Sequence, residues 1–163
     1  MLAEFTLPSE EGNDQVAAER VAEAARGVGL GARRLARLQT AVGEAALNAI
    51  EHGNQLRPER AVGIRAGLAA DALWVEVSDE GGERSIPEPE TPDIEAKLAG
   101  RERARGWGLF LMHRLADEVR VTTTGGRHTV RLTFRLGDDD SNHGGPSERA
   151  GEHERENAHG SAV

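Results

Sequence analysis

Leu38-Gln39-Thr40-Ala41-Val42-Gly43-Glu44-Ala45-Ala46-Leu47-Asn48-Ala49-Ile50-Glu51-His52-Gly53-Asn54 reads as one helix carrying two patterns at once. At about 100° per residue, Leu35, Leu38, Val42, Ala45, Ala46 and Ala49 fall on one apolar face, while Glu44, Asn48 and His52 follow at i, i+4 and i+8 along its edge. A carboxylate, an amide and an imidazole are therefore stacked beside the face that packs inward. Gly53 and Asn54 are expected to close the helix, because both tolerate the left-handed conformation. One polar residue at such an edge is ordinary solvated surface; aligned groups of these types mark a candidate site.

Around this helix, the 163-residue length suits one domain with a single core. The absence of cysteine excludes disulfides and thiolate metal sites and suits a reducing compartment. No apolar run approaches the roughly 18 residues of a membrane span, and the N-terminus lacks the basic-then-apolar pattern of a secretory signal. The expectation is a soluble cytoplasmic protein. A formal net charge of −8 argues against a general nucleic-acid binder, which needs clustered Lys and Arg. From 137 to 163 seven acidic residues face two basic ones, and only Ala150, Ala158, Ala162 and Val163 are hydrophobic. Such a segment cannot bury enough surface to offset its ordering entropy, so the chain divides into a domain, 1–136, and an acidic disordered tail, 137–163. His143, His153 and His159 in that tail are too scattered for a structural metal site.

Upstream of the opening helix, residues 2–7 alternate as a short strand ended by Pro8, and a helix is expected from an Asn13 or Asp14 cap to about Arg26. Gly27, Gly29 and Gly31 then break the chain before the next helix starts near Ala32. Downstream, Arg60–Leu68 and Ala72–Ser78 read as a hairpin, with Leu73, Val75 and Val77 on one face. This hairpin runs into Asp79-Glu80-Gly81-Gly82-Glu83: either a plain strand exit, or an acid beside backbone that a ligand can approach closely. Between Gly82 and Arg105 the chain is Pro-rich and charged, a length and composition typical of lids or disordered segments, with a short helix possible at 93–99. Gly106-Trp107-Gly108-Leu109 then opens an apolar helix reaching Ala116, and glycines there leave backbone N–H groups free to face an anion. Glu118–Thr124 and Arg127–Leu136, joined by Gly125-Gly126, form the last hairpin.

The Glu-x-x-x-Asn-x-x-x-His helix, the strand-end Asp-x-Gly, the lid-like loop and the Gly-x-Gly-Leu helix entry occur in an order that resembles the GHKL (Bergerat-fold) ATP-binding domain. Within it, the chain is similar to the small anti-sigma-factor serine kinases of the RsbW/SpoIIAB type over about residues 1–136. The most specific part is the segment Glu44 to Gly53, which looks like that group's N-box. The resemblance implies an α/β two-layer sandwich: a mixed, mostly antiparallel sheet with helices on one face and ATP bound between helices and lid. It implies Glu44 as the group that orients or deprotonates the attacking hydroxyl, and Asn48 as the ligand of Mg²⁺ and ATP. Asp79 and Gly81 would receive adenine. Arg105, Gly106, Gly108 and Leu109 would hold phosphates, with Arg101 and Arg103 either nearby or meeting a protein partner. Thr129 would lie near the pocket floor, and His52 would pack beside the site.

The activity implied is an ATP- and Mg²⁺-dependent protein serine/threonine kinase, a homodimer that phosphorylates a STAS-type anti-anti-sigma protein and binds a sigma factor. One departure stands out: Glu83 occupies the place of the family's second strand-end glycine, which bears on lid geometry and nucleotide affinity. It motivates an alternative, an ATP-regulated protein-binding module of the same fold without kinase activity. Histidine kinases attach this domain to a dimerising helical region with a phosphoacceptor histidine, and no such region is expected here, because the sequence starts almost at the first strand.

Overall fold

The alternation of Leu73, Val75 and Val77 with Trp74, Glu76 and Ser78 sets the centre of the structure, a computed structural model that describes residues 1–81 and 107–137. Five strands form one sheet: β1 (Ala3–Pro8), β2 (Ala61–Ala69), β3 (Ala72–Asp79), β4 (Glu118–Thr124) and β5 (Arg127–Arg135), in the order β1-β2-β3-β5-β4. Each neighbouring pair is antiparallel. The expected mostly antiparallel sheet is present, with antiparallel pairing between all five strands. β3 and β4 do run in the same direction, as strands joined through a helix should, but β5 returns between them and pairs with both.

Three helices cover one face: α1 (Asn13–Ala24), α2 (Ala32–Asn48) and α3 (Trp107–Leu115). Register puts Ile64 opposite Val77, Ala66 opposite Val75, and Leu132 and Phe134 opposite Val75 and Leu73, all almost fully buried. Leu38, Val42, Ala45, Ala46 and Ala49 press the predicted α2 face onto this layer with Val21, Leu109 and Met112. Buried aliphatic side chains of this size contribute about 1.5–3 kcal/mol each, so the aromatic-poor core rests on their number. Arg37 ties α3 to α2 by donating from Nη2 to the Arg114 carbonyl at 2.9 Å, one of the orphan acceptors at a helix end.

Two expected helix boundaries differ. α1 is preceded by Gly12 in a left-handed conformation (φ 88°), while the Asn13 amide turns back to donate to the Pro8 carbonyl at 2.9 Å. α2 does not stop at left-handed Gly53 and Asn54. It widens into a π turn, Ala49–Gly53, closed by the Asn54 N–H on the Ala49 carbonyl at 2.7 Å, and the left-handed residues are Gln55 and Leu56. His52 lies in this turn and is exposed.

Asn54, read from sequence as a stop signal, is fully buried. Its Nδ2 donates to Ser9 Oγ at 2.8 Å and to the Ala61 carbonyl at 3.2 Å, and its Oδ1 accepts the Glu80 N–H at 2.8 Å. One side chain thereby fastens the exit of β1, the entrance of β2 and the exit of β3 to the end of α2. The charged loop with its expected 93–99 helix, and the tail from 138 onward, lie outside the described residues.

Candidate functional site

The site is assembled where the end of α2 meets the ends of β3 and α3. Asn48, the last residue of α2, is half-buried, and its amide has no hydrogen-bond partner among the described residues. It lies against Gly108 in the first turn of α3: a Cβ there would sit 2.7 Å from Asn48 Nδ2 and 3.0 Å from Oδ1. Only a residue without a side chain lets the helix entry come this close to the amide. Glu44 is one turn earlier on the same edge of α2 and half-buried.

A second close approach forms beyond Asn48. Gly53 packs so tightly on Asp79 that a Cβ at Gly53 would overlap the Asp79 carboxyl, and a Cβ at Gly81 would lie 2.6 Å from Asp79 Oδ1 and 3.0 Å from Gly53 Cα. Asp79 is 8 % exposed. Its Oδ1 accepts the Gly81 N–H at 2.7 Å and lies 3.1 Å from His128 Nδ1. Desolvation raises the Asp79 carboxyl above its ordinary value of 3.8, opposed by the Gly81 N–H, by the neighbouring His128 and by the Arg127 charge.

This shift predicts a pH-dependent cost. The native carboxyl holds its proton more tightly than the unfolded chain does, so the stability it contributes is fully present below 3.8 and is lost as pH rises through the elevated native value. Asp79→Asn mimics the protonated form. Thermal melting is expected to show the variant more stable than the wild type at neutral pH, with the gap closing as pH falls toward about 4. A gap that widened on acidification would contradict the assignment.

The structure brings Asn48 to Gly108, and Asp79 to Gly81. Leu109 turns its side chain into the core, so only its backbone is available to a ligand. Thr129 is a correction: it pairs with Ser78, whereas His128 pairs with Asp79, so alternation sends Thr129 to the helix-free face, where it lines a groove with Thr6, Gly63, Arg65 and Ser78. Arg101, Arg103, Arg105, Gly106 and Glu83 lie outside the described residues.

Sequence reasoning missed His128 and the packing role of Gly53. His128 shares its strand phase with Val130, Leu132 and Phe134, so the pattern that placed those residues in the core also places an imidazole there. Gly53 has no local signal, because its neighbour Asp79 is remote in sequence. Among the described residues there is no group of three or more His, Asp or Glu side chains able to hold a metal alone, and no helix long and apolar enough to cross a membrane.

Residues 7–134 match the histidine kinase-like ATPase domain family. An anti-sigma F factor of Thermoanaerobacter sp. (strain X514) is 32 % identical over 143 residues, spanning 85 % of this chain and 96 % of that protein. The serine-protein kinase RsbW of Bacillus subtilis (strain 168) is 35 % identical over 102 residues, 61 % of this chain and 63 % of that one. Among solved structures, the RsbU and RsbW domains of a Mycobacterium tuberculosis protein superpose with a TM-score of 0.57 at 23 % identity, covering 82 % of this chain and 32 % of theirs. A five-stranded antiparallel sheet backed by helices agrees with that likeness. The chain belongs to the histidine kinase-like ATPase domain family, in its group of anti-sigma factors and serine-protein kinases.

Proposed function

We propose that this protein is an ATP- and Mg²⁺-dependent serine/threonine kinase and anti-sigma factor that phosphorylates a STAS-type anti-anti-sigma protein. The observation that carries the reading is the unpartnered Asn48 amide held against the first turn of α3, with a buried Asp79 at the neighbouring strand end. The residues fit the nucleotide. Asp79 offers an acceptor in a nearly dry setting, Gly81 leaves room beside it, and the N-terminal backbone of α3 favours anions. Asn48 supplies the amide oxygen that a hard cation takes together with phosphates, consistent with the lack of an all-protein metal cluster among the described residues. Bound Mg²⁺ would neutralise charge on the phosphates.

Glu44 stands one turn before Asn48, so a hydroxyl presented along this edge of α2 meets the carboxylate before the cation-binding amide. Glu44 accepts the hydroxyl proton as the oxygen bonds to the terminal phosphorus and the bond to ADP breaks. Arg105 and Gly106 complete the phosphate side in this reading. The acceptor is a serine or threonine of the STAS protein, the other partner is a sigma factor, and the working form is a cytoplasmic homodimer that contacts neither nucleic acid nor membrane directly.

Incubation with γ-labelled Mg·ATP and a candidate STAS protein tests the reading. Label on a serine or threonine of that protein is expected, and equilibrium sedimentation should give twice the chain mass. Tight ATP binding and partner capture without any phosphorylated residue would favour the module without kinase activity.

A further inference from the structure

His128 lies in β5 directly opposite Asp79 and is 4 % exposed. Its Nδ1 is 3.1 Å from Asp79 Oδ1. An ionised carboxylate only accepts, so the proton in this contact sits on Nδ1, and in that tautomer Nε2 carries a lone pair. Nε2 is buried and has no hydrogen-bond partner among the described residues. Buried polar atoms nearly always find a partner, and an orphan beside a proposed ligand-reading carboxylate points to the ligand as the missing one. Oδ1 of Asp79 is already taken by the Gly81 N–H and by His128, so the pair keeps two acceptors in reserve, Asp79 Oδ2 and His128 Nε2.

We propose that His128 is a specificity-determining residue of the nucleotide site, its Nε2 accepting a hydrogen bond from the amino-bearing edge of the purine that Asp79 reads. This rests on the nucleotide-binding reading above. Adenine presents an amino donor where guanine presents a carbonyl acceptor, so a site lined by acceptors leaves guanine with unpaired groups on both sides.

Charged groups on the packed elements are few among the described residues. Asp79 on β3 touches the ring, and Arg127 on β5 acts on Asp79 while its Nη2 lies 3.6 Å from Glu80. β4 places neutral Thr123 opposite His128, and the π turn brings Gly53 to Asp79, with Glu51 half-buried and His52 exposed.

The test is calorimetric titration of the full chain with Mg·ATP and Mg·GTP. The wild type is expected to prefer ATP. His128→Asn keeps a donor toward Asp79 but has no atom at the Nε2 position; its ATP-to-GTP affinity ratio should fall about ten-fold or more. His128→Gln extends an amide to that position and should recover the ratio.

An unchanged ratio in His128→Asn would overturn the proposal and leave the nucleotide site standing. Failure of the wild type to bind ATP would overturn both. Melting curves establish that each variant is folded; should neither be, a wild type that binds Mg·GTP as tightly as Mg·ATP overturns the proposal, and a clear preference for Mg·ATP supports it.

Discussion

Replacing Glu44 by glutamine is expected to lower phosphoryl transfer to the STAS partner by about 10²- to 10⁴-fold, the range a positioned general base contributes. Glutamine keeps the length and helix preference of glutamate, so α2 and its packing against β3 stay in place. Mg·ATP affinity should change little, because the amide contact to Gly108 and the Asp79 cluster lie elsewhere on the site. Single-turnover transfer beside calorimetric binding separates these quantities. Full transfer by Glu44→Gln would remove the residue from the chemistry. A parallel loss of ATP affinity would assign it to binding instead.

The largest effect on stability is expected at Asn54. Truncation to alanine removes the acceptor for the Glu80 N–H and the donor shared between Ser9 Oγ and the Ala61 carbonyl, in a place water does not reach. Leaving such groups unpaired costs about 1–3 kcal/mol each, so a loss of roughly 3 kcal/mol or more is expected in denaturant unfolding. Aspartate supplies the Glu80 acceptor but not the donor, and it buries a charge, so Asn54→Asp should be no better than alanine at neutral pH. Because Glu80 follows Asp79 directly, nucleotide binding should weaken with stability even though Asn54 is not placed against the ligand. An unfolding midpoint within error of the wild type would show that β3 exits the sheet without this fastening.

The strands were legible because period-two alternation is a local signal: Leu73, Val75 and Val77 name their own face, and Gly125-Gly126 names the last turn. The α2 face was legible for the same reason at helical spacing. What escaped depends on residues far apart in the chain. Asn54 meets Ser9 and Glu80 at separations of 45 and 26 residues, and nothing near Asn54 distinguishes a latch from a helix stop. The all-antiparallel pairing follows from β5 returning between β3 and β4, a choice no single strand encodes.

The site residues divide along the same line. Glu44 and Asn48 share one helix, so their alignment could be read directly. Asp79 and Gly81 came from a short local motif. Thr129 failed by one residue, because in a strand a shift of one changes the face: the core phase set by Val130, Leu132 and Phe134 belongs to His128.

The enclosure of Asp79 has a consequence for which side chains position 79 can accept. Gly53 closes one side of the carboxylate and Gly81 another, each so near that even a methyl group has no room. The cavity therefore measures length as well as charge. Glutamate carries the same charge one methylene further out, and that methylene would have to displace the π turn or the strand exit. Asp79→Glu should behave like a deletion of the acceptor in ATP binding, while shorter side chains at 79 are expected to leave the fold intact. Sequence drift at this position is then one-sided: the walls permit shrinkage and forbid growth.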